Sequence, residues 1–222
     1  MTPPDPGVRR GGAYDPDCRR CPRLAKFLEA TRRKHADYFA RPVPSFGARA
    51  PKLLIVGLAP GMHGANRTGR PFTGDFAGIL LYRTLHDLGL ATAPDSVSAA
   101  DGLELIDARI VNSVKCVPPA NKPLPDEIRR CNAFLKEEFA ELPAVRVYLA
   151  LGRIAHDAVL MARGLKRGEF LFGHGREHAL GDAQWLVDSY HCSRYNTQTR
   201  RLTAPMFHEV VARACALAGL RR

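Results

Sequence analysis

Four short apolar runs, separated by helical patterns, constrain the fold of this chain more than any other feature. The runs are rich in β-branched residues and predict strands over 52–58, 109–114, 145–151 and 185–190. Helical periodicity predicts helices that begin near residues 76, 127, 152 and 203. Strands that alternate with helices form parallel sheets with helices on both faces. We therefore predict a three-layer α/β/α sandwich around a central, mainly parallel sheet of four strands.

Length and charge limit the class of protein. The 222 residues are 45% hydrophobic, which suits one well-formed core, and we expect a single domain over 18–222 behind a flexible basic tail over 1–17. An uninterrupted apolar run of 18 residues is absent, so we expect a cytoplasmic protein with no membrane partner. We also expect a monomer. The net charge of +11 favours a polyanionic partner such as nucleic acid, although an arginine-biased genome would give the same composition.

The cysteine spacing favours a metal or cluster site. Cys18 and Cys21 form a Cys-x2-Cys pair just before an apolar helix, so two thiolates can reach one metal from a single turn. Cys116 closes the second predicted strand, and Cys131 lies in the helical segment that follows. These four make the best four-thiolate set, and zinc and iron–sulfur clusters both accept four thiolates. The alternative is a dithiol pair with two core cysteines.

The carboxyl ends of the predicted strands bring an acid, an amide and an imidazole to one rim. Ligands of open parallel sheets bind outside these ends. The first strand leads into a glycine-rich segment that ends at Asp75, the second ends near Asn112, and the fourth ends at His191. Each residue also has a structural alternative: an N-cap for Asp75, backbone hydrogen bonding for Asn112 and a structural histidine for His191.

The glycine-rich segment 57–75 is long for a connection inside a compact domain, which indicates a functional loop. Gly57 and Gly61 give it backbone freedom and room for a ligand to approach. It lacks the Gly-Lys-Ser/Thr ending of a phosphate-binding loop, which disfavours a phosphotransferase. Phe72 is either a buried anchor for the loop or a stacking platform for a flat ligand.

Arginines follow the fourth strand and predict contacts to phosphates. The stretch 193–201 contains Ser193, Arg194, Arg200 and Arg201, which suits a DNA backbone, although a solvated basic loop is the alternative. His63, in the glycine-rich segment, is a further candidate for DNA contact.

Three segments together resemble the family 5, or type B, uracil-DNA glycosylases. They are GLAPGMHGANRTGRPFTGD at 57–75, NSVKCVPPAN at 112–121 and HCSRYNTQTRRLT at 191–203. The resemblance covers about residues 15–218. It implies a uracil-DNA glycosylase-like fold and the removal of uracil, and of modified or deaminated bases, from DNA. It also implies that Cys18, Cys21, Cys116 and Cys131 bind a [4Fe–4S] cluster.

The resemblance implies roles for the candidate residues. The first motif is apolar where other uracil glycosylases have a polar residue, which leaves Asp75 as the carboxylate for water activation. His191 would donate to the departing base, Phe72 would stack on it and Asn112 would bind its pairing edge. No lysine nucleophile is required, so we expect hydrolysis without strand cleavage. The competing hypothesis is a non-enzymatic nucleic-acid-binding protein with a four-cysteine site.

Overall fold

The computed structural model describes residues 13–220, and within them six strands form one sheet in the order β1-β3-β2-β4-β6-β5. The strands are β1 (Phe46–Gly47), β2 (Leu53–Gly57), β3 (Ala108–Asn112), β4 (Val147–Leu151), β5 (Glu177–Gly181) and β6 (Gln184–Ser189). The four central strands are parallel, as the alternating sequence pattern predicts.

The sheet has two edge strands that the predicted four-stranded sheet lacks. β1 is only two residues long and pairs antiparallel with β3. β5 pairs antiparallel with β6 through a turn at Asp182 and Ala183, which both have positive φ. β1 is too short to show an alternation of apolar and polar residues, and β5 is half-exposed and contains polar residues. Neither strand therefore gives an apolar run in the sequence.

Seven α-helices lie within the described residues. They are α1 (Pro22–Lys34), α2 (Ala65–Thr68), α3 (Phe76–Asp87), α4 (Pro125–Glu141), α5 (Arg153–Arg163), α6 (Arg194–Gln198) and α7 (Ala204–Leu217). The short helices α2 and α6 lie in segments that sequence inspection treats as loops. Short 3₁₀ turns occur at Pro119–Asn121 and Arg167–Glu169. Of these helices, none is long and apolar enough to cross a bilayer.

Alternate residues of each central strand pack on opposite faces of the sheet. Leu53 and Ile55 of β2 belong to the core cluster that contains residues of α3 and α7, whereas Leu54 and Val56 belong to the cluster that contains residues of α4 and α5. Both faces are therefore buried, which explains the continuous apolar runs and confirms the three-layer α/β/α sandwich.

The N-terminal segment packs on a third, smaller core. Leu24 and Leu28 of α1 are buried there with Phe134 of α4. Most of the basic tail predicted over 1–17 lies outside the described residues. Its last part is packed, because Ala13 is buried and the Tyr14 hydroxyl donates to the Pro42 carbonyl.

Parallel register brings the strand ends to one edge of the sheet. Gly57, the last residue of β2, is paired with Asn112, the last residue of β3. On the other side, Leu151 of β4 is paired with Ser189 of β6, two residues before His191. The polar residues that follow these strands therefore lie together.

Candidate active site

A cleft of about 650 Å³ opens at the carboxyl ends of the strands. It contains most of the residues that the sequence predicts for the site. They are Gly61, His63, Phe72, Asp75, Asn112, His191, Ser193 and Arg194. The sequence rule for parallel sheets therefore brings the acid, the amide and the imidazole into one cavity.

Asp75 caps α3 and also faces the cleft. Its Oδ1 accepts a hydrogen bond from the Gly78 amide at 3.0 Å, so the capping alternative is correct without excluding a catalytic role. Burial raises the pKa of the Asp75 carboxyl, against the opposing effect of the Gly78 and Ala77 amides. The backbone of the glycine-rich loop runs against this carboxylate: a Cβ at Gly64 would lie 2.5 Å from Asp75 Oδ2. Gly64 therefore has to be glycine for Asp75 to keep this position.

Phe72 is held in a left-handed backbone conformation at one side of the cleft, with φ of +54°. Gly78 makes this possible, because a Cβ there would lie 1.8 Å from the Phe72 carbonyl oxygen. The Phe72 ring stacks on the His191 ring with centroids 5.9 Å apart and 26° between the planes. Gly57 does not line the cleft but lies beneath it, since its Cβ would clash with Phe72 and with Asn112 Oδ1.

Asn112 presents a buried acceptor to the cleft. The residue is 3% exposed, and its Oδ1 has no hydrogen-bond partner among the described residues. A buried carboxamide oxygen without a partner costs free energy, of the order of 1–3 kcal/mol, and such atoms call for an explanation. A ligand N–H would satisfy it.

His191 is a neutral imidazole at physiological pH. Burial lowers its pKa to about 4, and its Nδ1 has no partner in the described part of the chain. Asn196 of α6 donates to the His191 carbonyl at 2.8 Å and fixes the backbone there. A neutral imidazole carries one N–H donor, so His191 can donate a hydrogen bond without carrying charge.

The rim of the cleft is polar and basic. His63 Nδ1 lies 2.7 Å from the Tyr38 hydroxyl, Ser193 caps α6, and the Arg194 guanidinium lies 5.3 Å from the centroid of the Phe76 ring. Arg194 is exposed and free to reach a phosphate outside the cleft.

Arg200 and Arg201, predicted with this group, do not line the cleft. Both are exposed beyond α6, where Arg201 lies over the Tyr190 ring at 4.5 Å. The two arginines follow the short helix α6, of which only the first residue, Arg194, lines the cleft.

Several residues that line the cleft were missed by sequence reasoning. Among them, Arg153 and Ile154 begin α5, Phe76 begins α3, and Asn121 ends the 3₁₀ turn at Pro119–Asn121. The rule that found Asn112 and His191 could have found Arg153, since it follows the carboxyl end of β4. Asn121 gives no comparable signal, because its position depends on a turn with positive φ at residues 120 and 121.

The four cysteines of the predicted ligand set lie together, as free thiols. Cys18, Cys21, Cys116 and Cys131 line a small void of about 20 Å³ between the start of α1, the loop after β3 and α4. Cys116 is four residues beyond the end of β3 and does not close that strand.

Their environment opposes the thiolate form. Burial raises the pKa of Cys131 to about 11, against a hydrogen bond from the Lys115 amide at 3.2 Å. Burial also raises the pKa of Cys116, and the neighbouring cysteines raise it further. Four thiolates around one void, two of them buried, repel one another and need a positive centre, so this donor set fits a thiophilic metal or cluster.

Comparisons with known proteins identify the family. The model of the Uracil DNA glycosylase superfamily matches residues 44–214. A type-5 uracil-DNA glycosylase of Thermus thermophilus is 49% identical over 208 residues, which cover 91% of this chain and 94% of that protein. Type-5 uracil-DNA glycosylases of Mycobacterium bovis and Pyrobaculum aerophilum are 44% and 41% identical over 91% of this chain, and over 79% and 90% of their own lengths. The chain therefore belongs to the uracil DNA glycosylase superfamily and, within it, to the type-5 uracil-DNA glycosylases.

Proposed function

We propose that this protein is a monofunctional glycosylase that hydrolyses the N-glycosidic bond of uracil in DNA and leaves an abasic site. Family membership supports the reaction. The cleft supports the residue roles, because Asn112 and His191 each present to it a buried polar atom without a partner, beside the carboxylate of Asp75. This juxtaposition is the observation that carries the proposal.

The cleft binds a base that has left the duplex. A base inside the helix is inaccessible to an enzyme, so the target nucleotide rotates out into a pocket. Phe72 lines the cleft and would stack on the flipped base, and the Asn112 oxygen would accept the N–H of the pairing edge. Uracil, which carries an N–H flanked by two carbonyls, satisfies such an acceptor. Modified uracils and deaminated purines present the same N–H, so we include them as substrates.

Asp75 acts on the sugar side of the bond. Cleavage develops positive charge on the sugar, and a fixed carboxylate stabilises it and orients the attacking water. The Gly78 amide holds Oδ1 at 3.0 Å, so Oδ2 is the oxygen available for this work. The raised pKa of the Asp75 carboxyl makes it a stronger base toward that water.

His191 acts on the base side. The departing uracil carries negative charge, and a neutral imidazole N–H donates a hydrogen bond to its oxygen. A pKa of about 4 keeps the ring neutral at pH 7, so the hydrogen bond forms without a proton being transferred to the base. Removing one such donor costs about 3 kcal/mol in other enzymes that stabilise oxyanions.

The basic rim holds the DNA. His63, Ser193 and Arg194 line the cleft and would contact the phosphates beside the flipped nucleotide. Arg200 and Arg201 are exposed farther from the cleft and would contact the flanking duplex.

Cys18, Cys21, Cys116 and Cys131 would hold a [4Fe–4S] cluster. The four thiols are free and line one void, and an iron–sulfur cluster takes four thiolates. Bound there, it would supply positive charge and a covalent tie between the N-terminal segment, the loop after β3 and α4. The core around these cysteines also packs against Ala59 and Met62 of the cleft wall.

A glycosylase assay tests the function. Duplex DNA with one uracil is incubated with the protein and then heated in alkali, which breaks the strand at abasic sites. We expect breaks at the uracil after alkali and intact strands without it. Breaks without alkali would contradict monofunctional hydrolysis, and the absence of breaks in both samples would leave the competing hypothesis of a nucleic-acid-binding protein.

A further inference from the structure

Two histidines and an aspartate form a buried cluster that the proposed chemistry does not use. Asp188 of β6 and His156 of α5 are 0% and 1% exposed. His156 Nδ1 lies 2.7 Å from Asp188 Oδ1, and His178 Nε2 of β5 lies 3.2 Å from Asp188 Oδ2. All three residues offer polar atoms within 4.8 Å of one another.

The hydrogen-bond geometry assigns the protons. His156 faces an acceptor at each ring nitrogen, because its Nε2 lies 3.0 Å from the Phe170 carbonyl oxygen. A ring with two acceptors satisfies both only as the doubly protonated imidazolium. Asp188 in turn receives the His178 ring N–H and the Gly173 amide at Oδ2, which suits an ionised carboxylate. The pair is therefore a buried imidazolium–carboxylate ion pair.

The charged groups around His156 agree with this assignment. Burial lowers its pKa, but hydrogen bonding and Coulombic attraction from Asp188 outweigh burial and leave the pKa raised. His178 faces it from β5, and Asp157 lies on its own helix, where it pairs with Arg167. The segment before β5 presents a carbonyl oxygen and the Phe172 ring, which add no charge.

The ion pair joins two walls of the cleft. His156 is in the first turn after Gly152, whose carbonyl accepts the His156 amide, and residues 151–154 line the cleft. Asp188 is three residues before His191, on the neighbouring strand β6, and His191 also lines the cleft. The Gly152 amide donates to the Ser189 carbonyl at 2.8 Å, beside the pair.

The same carboxylate also organises the segment that supports the end of β6. Gly173 donates to Asp188 Oδ2, and the Gly175 amide donates to the Asp188 carbonyl. His174, between them, accepts the Tyr190 amide at 3.1 Å and stacks on the Tyr190 ring at 4.9 Å. Tyr190 directly precedes His191, so its backbone is fixed from this side.

We propose that the His156–Asp188 ion pair is a positioning device for the glycosylase reaction. The imidazolium holds the β4–α5 turn against the end of β6 and so sets the place of His191 relative to the base. His156 touches neither base nor sugar, so its role is positioning and not catalysis. The proposal rests on the proposed function, because it concerns the arrangement of that same site. Misplacement of a reacting group by about 1 Å can cost on the order of 100-fold in rate.

The wild-type protein gives the first test. In protein labelled with ¹⁵N-histidine, we expect NMR at pH 7 to show both ring nitrogens of His156 protonated, because the ring has an acceptor at each nitrogen and its pKa is raised. The single-turnover rate of uracil release should fall with the midpoint of the His156 titration, because the ion pair is lost as pH rises through the raised pKa. A neutral His156 at pH 7 would overturn the proposal, as would a release rate that does not change across the titration.

Two matched variants give the second test. His156→Gln should lower the saturating single-turnover rate by about 10- to 100-fold, remove the alkaline decline, and leave the affinity for DNA with an abasic-site analogue within about twofold. His178→Gln removes another donor to the same carboxylate but leaves the His156–Asp188 ion pair in place, so it should keep the alkaline decline and most of the rate. A folded His156→Gln protein with the wild-type rate and pH profile would show a purely structural pair.

The outcomes separate the two proposals. Wild-type protein that releases no uracil overturns the proposed function and, with it, the positioning role. Wild-type release together with an unchanged rate in His156→Gln overturns the positioning role alone. If His156→Gln does not fold, the wild-type comparison of the NMR titration with the release rate decides.

Discussion

The low pKa of His191 makes a quantitative prediction about acid stability. In the unfolded chain a histidine titrates near pH 6.5, whereas in the folded protein His191 titrates at about 4. Between these values the unfolded state binds a proton that the folded state does not bind. The difference of about 2.5 pKa units corresponds to about 3 kcal/mol at most, which is present above pH 6.5 and is lost as pH falls toward 4.

Urea unfolding at several pH values between 7.5 and 4 measures this contribution. We expect His191→Gln to lose less stability than the wild type over that range, by up to about 3 kcal/mol. His86→Gln, at an exposed histidine, is the control and should follow the wild type. An NMR titration of His191 with a midpoint near 6.5 would refute the assignment of a neutral, buried donor, as would equal acid sensitivity in the wild type and His191→Gln.

Three further predictions follow from the packing of the site. Gly64→Ala would place a Cβ 2.5 Å from Asp75 Oδ2, so the rate of single-turnover uracil release should fall by about 100-fold. The control Gly168→Ala, whose Cβ would have no atom within 4 Å, should keep the wild-type rate. Equal rates in the two variants would show that the loop accommodates the added methyl group without displacing Asp75. Arg194→Ala should weaken DNA binding and reduce the slope of log affinity against log salt by about one, measured by fluorescence anisotropy; an unchanged slope would remove Arg194 from the phosphate contacts. Cys116→Ser should abolish the brown colour and the roughly four irons per chain expected of the purified protein; colourless wild-type protein with one zinc would contradict the cluster.

The central fold could be predicted because its strands are buried on both faces. Continuous apolar runs such as 53–57 and 147–151 are visible in the sequence, and the order of strands and helices then determines a parallel sheet. The edge strands could not be predicted. β1 is two residues long, and β5 is half-exposed and polar, so local composition does not show that either pairs with the sheet.

The site was predictable where it depends on strand ends and not where it depends on turns. Asn112 and His191 lie at the ends of predicted parallel strands. Because the carboxyl ends of parallel strands meet at one edge of the sheet, the sequence predicts that the two residues lie together. Arg200 was assigned to the same surface because α6 was not recognised. Asn121 enters the cleft through a turn with positive φ at residues 120 and 121, and its residue types indicate a turn but not the surface that the turn faces.

The buried cluster behind the cleft gave no signal at all. His156, His178 and Asp188 lie on three different elements, and each is an unremarkable residue within its own helix or strand. Only the tertiary structure shows that both nitrogens of His156 face acceptors.

The most direct test of the account compares wild-type protein with Asp75→Asn in single-turnover release of uracil from duplex DNA. An asparagine oxygen can still accept the Gly78 amide, so the cap of α3 and the fold should be retained. We predict a rate at least about 100-fold lower, with unchanged affinity for DNA that carries an abasic-site analogue. A folded Asp75→Asn protein that releases uracil within about twofold of the wild-type rate would contradict the proposed chemistry of the cleft.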